Sequence, residues 1–239
     1  MTGAPLLALE DVHAYYDHSH VVQGVSLHVE PGEIVGLVGR NGAGKTTILK
    51  TIMGVVGARQ GRVRLGGQDI TGLPTHEIAR AGLTLVPEDR RIFPGLTVAE
   101  NLRLGALATA ASDDANGLAQ VFEYFPRLKE RLQHSGAHLS GGEQQMLALA
   151  RGFLARPRLM LVDELTGGLM PLLVEQLMTI LQRMNTSGMT VLLVEQDLGV
   201  VLDLARRCYV VDQGRIQFHG TAAELRENRA VQRRYLGVS

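Results

Sequence analysis

The sequence predicts an α/β fold, with a mainly parallel sheet, an antiparallel β portion toward the N-terminus and an inserted α-helical subdomain. Three observations carry that prediction. Short apolar segments of strand length alternate with segments of helical pattern along most of the 239 residues. Ile34-Val35-Gly36-Leu37-Val38 is a nearly continuous apolar run, as expected of a strand covered on both faces. The stretch 94–135 has a different texture and is mostly helical in pattern.

Taken in order, Leu6 to Leu9 and Val21 to Val29 read as strands, the second ending at the Pro31-Gly32 turn. The strand Ile34 to Val38 runs into a Gly-rich turn, and Thr47 to Met53 reads as a helix. Gly61 to Leu65 reads as a strand bounded by Gly66-Gly67. In the helical stretch, Val98 to Leu107 and Leu118 to Phe125 carry the pattern, separated by the polar Ser112-Asp113-Asp114-Ala115-Asn116-Gly117. Helices follow at Glu143 to Ala155, Leu172 to Met184 and Leu198 to Ala205, with buried strands at Leu159 to Val162 and Val191 to Val194. Cys208 to Val211 and Arg215 to His219 read as strands, and Thr221-Ala222-Ala223-Glu224 is the capping box of a final helix. The expected organisation is one domain over 1–239, with core segments 1–93 and 136–239 and a helical subdomain at about 94–135.

Composition narrows the function classes. Twenty-four Lys plus Arg balance 24 Asp plus Glu, which argues against a nucleic-acid binder that relies on net positive charge. One cysteine, Cys208, offers no internal disulfide, which fits a reducing compartment. No run approaches the ~18 apolar residues of a membrane span, and Met1 to Pro5 carries no basic signal region. The expectation is a soluble, intracellular chain.

Gly39-Arg40-Asn41-Gly42-Ala43-Gly44-Lys45-Thr46 fits G-x-x-x-x-G-K-[ST] without adjustment. The glycines let the backbone wrap so that successive N–H groups point into one concavity, and the following helix adds its positive end. That helix carries Thr47 in its first turn. Lys45 is placed to reach the β- and γ-phosphates, and the Thr46 hydroxyl to ligate Mg²⁺. A chance match is the alternative, and the position between a buried strand and a helix argues against it. The prediction is a P-loop NTPase core that binds a nucleotide and Mg²⁺.

The apolar strand Leu159 to Val162 ends in Asp163-Glu164. Asp163 at a strand tip suits an Mg²⁺ ligand, and Glu164 a general base or an orienter of water. Leu139-Ser140-Gly141-Gly142-Glu143-Gln144 then places a serine and two glycines at the opening of a helix, a second anion-binding terminus. Ser140 precedes Asp163 by 23 residues.

In that order and spacing, the three motifs resemble the ATP-binding cassette (ABC) ATPases, over nearly the whole chain. The resemblance implies that two subunits, identical or related, pack head to tail with each ATP between one phosphate loop and the other's signature, here residues 139–144. It also implies that Tyr16 stacks on adenine (an edge tyrosine that merely packs being the alternative), and that Gln196 contacts the γ-phosphate. Glu88 stands at the glutamine of the family's Q-loop, near the metal, just before Arg90-Arg91-Ile92-Phe93-Pro94-Gly95. Lys50-Thr51-Ile52-Met53-Gly54, Val86-Pro87-Glu88 and Val194-Glu195-Gln196 look like the ATP-binding subunits of branched-chain amino acid importers. The implied partners are integral-membrane permease subunits, a second ABC ATPase subunit and, indirectly, a periplasmic solute-binding protein. The implied place is the cytoplasmic face of the bacterial inner membrane.

The sequence departs from the family at four places. Glu88 replaces glutamine, and Gln196 replaces a histidine and cannot carry its proton. Leu165 replaces proline after Glu164, which frees the backbone there, and Met170 replaces an aspartate. Urea or short-amide importers, lipid or lipopolysaccharide exporters and non-transport ABC ATPases remain as alternatives. A small-molecule kinase would lack the Ser-Gly-Gly motif.

Overall fold

The computed structural model describes residues 4–107 and 115–237. The polar residues Ser112, Asp113 and Asp114, and the first three residues, lie outside the described residues.

The N-terminal portion is a four-stranded antiparallel sheet in the order β2-β1-β4-β5. Its strands are β1 (Leu7–Tyr16), β2 (Ser19–Val29), β4 (Ala58–Leu65) and β5 (Gln68–Asp69). β1 runs well past the expected Leu9. Its alternation breaks at Asp11, where φ is +47° and the register against both neighbours shifts. This bulge returns Val12 and Ala14 to the buried face, so simple period-two reading ends the strand too early. Gly61 lies against the Asp11 carbonyl, where a Cβ would collide with backbone.

The second sheet has the order β10-β9-β3-β8-β7-β6. It consists of β3 (Ile34–Val38), β6 (Leu83–Val86), β7 (Leu159–Asp163), β8 (Thr190–Glu195), β9 (Arg207–Asp212) and β10 (Arg215–Thr221). Every neighbouring pair is parallel except the edge pair β9–β10. Residues alternate between two apolar clusters, one on each face. Ile34, Val162, Val191 and Leu193 belong to one; Val35, Leu37, Leu161 and Leu192 belong to the other. Helices α6 (Gly141–Leu154), α7 (Pro171–Thr186) and α8 (Leu198–Leu204) cover the first face, while α1 (Lys45–Ile52) and the antiparallel sheet cover the second. Burial on both faces is why these strands read as unbroken apolar runs.

Helices α3 (Val98–Ala106), α4 (Ala115–Tyr124) and α5 (Pro126–Glu130) fall between β6 and α6. Val98, Leu102, Val121, Phe125 and Leu128 tie them to α6 through one continuous core. The predicted fold class is therefore what the chain adopts. Short elements escape sequence reading, among them α2 (Thr75–Arg80), β6 and α5, each of six residues or fewer. The predicted C-terminal helix is α9 (Ala222–Glu227), with the Thr221–Glu224 capping box formed, and two short helical turns, Arg229–Val231 and Gln232–Leu236, follow it. Buried Cys208 sits in β9, and burial pushes its thiol up to about 12.

Candidate nucleotide site

β3 delivers the chain into residues 39–44, and α1 begins at Lys45, two residues earlier than expected. Gly42 and Gly44 have φ of +77° and +104°, so the turn uses backbone states that side chains oppose. Thr46 and Thr47 occupy the first turn of α1, where N–H groups have no intrahelical acceptor. The loop is braced from outside: the Gly214 N–H donates to the Ala43 carbonyl at 2.8 Å. The Gln23 N–H of β2 donates to the Gly214 carbonyl at 2.8 Å, which places the β1–β2 hairpin beside the loop. Tyr16 closes that hairpin opposite Ser19 and is 43% exposed.

Lys45 is buried. Its Nζ donates to the carbonyls of Gly39 at 2.8 Å and Arg40 at 3.1 Å, and lies 3.2 Å from Glu164 Oε1. The other Glu164 oxygen accepts from Gln196 Nε2. Glu164 itself has φ of +45°, and its N–H donates to the Val194 carbonyl at 2.8 Å. The lysine of the loop, the acid after β7 and the amide after β8 thus meet, because β3, β8 and β7 are adjacent strands ending at one edge.

Asp163 is buried at the tip of β7 and pairs with the Thr46 side chain. Burial above all, then the charges of Glu164 and Glu88, push its carboxyl up to about 6, against the pull of Thr46 and Lys45. Its Oδ1 is buried without a hydrogen-bond partner. An orphaned carboxylate oxygen beside a threonine hydroxyl, at raised pKa, is a donor set that fits a hard divalent cation. Among the described residues no three His, Cys, Asp or Glu converge on one point.

Glu88 borders a groove of about 620 Å³ that also takes in Arg90, Gln144 and Gly167. Ser140 caps α6, accepting from the Glu143 N–H at 3.3 Å while the Ser140 N–H donates to Glu143 Oε2 at 2.9 Å. Gly141 lies against the Arg90 guanidinium, and Gly142 against Leu173 of α7. Gln144 Oε1 accepts from Arg90 Nη1 at 3.2 Å, and Gln145 Oε1 from Arg90 Nε at 3.0 Å. The polar partners of residues 139–144 therefore come from one another, from Arg90 and Arg131 and from the Gly136 carbonyl, while those of Lys45 come from Glu164 and the loop itself.

Sequence reading passed over Arg90 and Glu195 as site residues. Arg90 appeared only as a neighbour of Glu88, and its role depends on contacts 54 and 55 positions away. Glu195 carried one signal, a charge closing an otherwise apolar strand.

The sequence matches the ABC transporter family over residues 22–167. It is 43% identical over 232 residues to the high-affinity branched-chain amino acid transport ATP-binding protein BraG of Pseudomonas aeruginosa, covering 97% of this chain and 100% of that one. It is 36% identical to the lipopolysaccharide export system ATP-binding protein LptB of Escherichia coli K12, over 93% of each chain. A solved ATP-binding cassette of an ABC transporter in its ADP conformation shares the fold, with a TM-score of 0.83 and 25% identity over 94% of each chain. With that family match spanning most of the sequence and the same fold seen in a solved cassette, the chain belongs to the ABC transporter family as an ATP-binding subunit.

Proposed function

We propose that this chain hydrolyses ATP to drive an importer of branched-chain or other hydrophobic amino acids. The observation that carries the ATPase reading is the meeting of Lys45, Glu164 and Gln196 beside buried Asp163. In this reading the backbone of residues 39–44, the start of α1 and Lys45 bind the β- and γ-phosphates, and Tyr16 stacks on adenine. Thr46 and Asp163, with Glu88 nearby, would hold Mg²⁺, which when bound neutralises charge on the phosphates. Lys45 then exchanges Glu164 for phosphate oxygens, and the released carboxylate orients or deprotonates the attacking water. Gln196 has two amide protons, so it can keep Glu164 with one and meet the γ-phosphate with the other.

Ser140, Gly141, Gly142, Glu143 and Gln144 act on the ATP of a second ABC ATPase subunit packed head to tail, a copy of this chain or a relative. Among the described residues no helix is long and apolar enough to cross a membrane. In the importer reading, which the likeness to BraG supports, the chain works at the cytoplasmic face of the bacterial inner membrane through permease subunits, with a periplasmic solute-binding protein supplying the solute. A groove of about 390 Å³ between the core and α3, with Val55, Pro87, Arg91 and Leu104 on its walls, suits a permease segment. One domain covers the whole chain, with residues 94–135 as its helical subdomain.

The amino acid assignment follows the full-length likeness to BraG. The likeness to LptB supports the second reading, lipopolysaccharide export. Glu164→Gln removes the base while keeping the shape, so ATP should gather the variant into a stable dimer with hydrolysis lost. Monomers in saturating ATP, or hydrolysis at the normal rate, would contradict the assignment. Deleting the chain in its host and measuring uptake of labelled leucine separates the solutes: unchanged uptake rules out the amino acid importer.

A further inference from the structure

Glu195 closes β8 and is 2% exposed, the one charged side chain in a strand otherwise made of Thr190 and four apolar residues. Its Oε1 accepts from the Thr166 N–H at 3.1 Å, and its Oε2 from the Thr166 hydroxyl at 3.1 Å. Both of these donors come from a single residue in the turn that follows β7, and the backbone of Gln196 also bonds to the carboxylate. Burying a carboxylate carries a desolvation cost that such neutral donors offset only in part. Burial pushes this carboxyl up to about 7 even though both Thr166 bonds pull it down, with the Glu164 charge adding to the rise. A leucine or valine would end the strand with less penalty, so the carboxylate is a poor device for stability alone.

Its placement supplies a different reason. Thr166 is two residues after Glu164, and Glu195 is adjacent to Gln196, whose amide donates to Glu164. The Glu164 N–H is already tied to Val194, next to Glu195 on the same strand. Three bonds thus lock the turn after β7 onto the end of β8, at the point where the two exits present their working side chains. Glu164 needs such a lock. Its φ of +45° is a left-handed state that a glutamate keeps only where its surroundings fix it. With leucine at 165, no proline ring restricts the backbone there.

We propose that Glu195 is a positioning residue for hydrolysis, holding Thr166 so that Glu164 keeps its backbone state and its contact with Gln196. Glu195 reaches the reaction only through Thr166. The inference rests on the roles given above to Glu164 and Gln196.

The test compares Glu195→Leu, Glu195→Gln and Thr166→Val for kcat, KM for ATP and melting temperature. Glu195→Leu should keep or raise the melting temperature and leave KM within about twofold, while kcat falls about 10- to 100-fold, the size expected when a reacting group is displaced by about an ångström. Glu195→Gln should rescue kcat, since its carbonyl accepts from the Thr166 N–H and its amide donates to the Thr166 hydroxyl. Thr166→Val, which removes only the hydroxyl, should lower kcat in the same sense and serves if the leucine variant does not fold. Wild-type kcat in both Glu195→Leu and Thr166→Val overturns the inference. So does a drop in melting temperature with kcat per folded molecule unchanged. Glu164→Gln runs alongside: normal hydrolysis there defeats the parent reading, whereas its loss combined with full activity in the Glu195 and Thr166 variants defeats this inference alone.

Discussion

Lys45 is held by two loop carbonyls and one carboxylate, all within 3.2 Å. Replacing it by alanine removes the cation that balances Glu164 and the charge-assisted bonds it would give to phosphate. Such bonds contribute about 1.5–3 kcal/mol each, so Lys45→Ala should weaken ATP binding by at least about 10- to 100-fold, read by calorimetric titration. Unchanged affinity would remove residues 39–46 from the site. Glu195 sets a pH dependence at the same scale. Its folded-state pKa of about 7 lies above the ordinary carboxylate value of 4.5, so folding favours the protonated form. That contribution is complete below about pH 4.5 and is lost as pH rises through about 7. Between pH 5 and 8 the wild-type melting temperature should therefore fall more steeply than that of Glu195→Gln, and parallel curves would contradict it. The two cases also differ in legibility. The phosphate loop was readable because all its ligands are contiguous; Glu195 was not, because its partner Thr166 is 29 positions away and a charge closing an apolar strand does not by itself announce that contact.

At the scale of elements, the long buried strands and capped helices were readable because each carries its own periodicity and its own stop. Ser140, Thr97 and Thr221 all form the capping boxes that their sequences spell. β6 was not readable, since Thr84 interrupts the short apolar run between Gly82 and Pro87, unlike the unbroken runs of β7 and β8. β1 misled because a bulge resets its alternation. The helical segment depends on one anchor in particular. Phe125, 1% exposed, sits where α4 turns into α5 and joins the core that α6 carries to the sheet. Phe125→Ala should cost about 3–5 kcal/mol of stability in a denaturant titration. Amides of α3 and α4 should also exchange faster than those of β3 and β8, because the truncation opens the insertion and leaves the central strands covered. Uniform loss of protection would mean that the segment has no stability of its own to lose.

For the whole molecule, the division of polar contacts sets a geometric question. Within one chain Lys45 meets Glu164 and the phosphate loop, while the signature residues meet Arg90 and each other. If each ATP lies between the loop of one copy and the signature of another, damage to the two motifs must complement in mixtures. A pair formed by Lys45→Ala and Ser140→Arg chains puts both lesions into one of its two sites. The other site then joins an intact loop to an intact signature. Random pairing of equal amounts makes half the dimers mixed, each with one working site, so activity should recover to about a quarter of wild type if the sites act independently. Each variant alone should stay near background. The recovered rate should rise with protein concentration in the way that dimer formation does, which separates pairing from contamination by intact enzyme. A site built inside a single chain gives no recovery at any mixing ratio, because every molecule then carries its own defect.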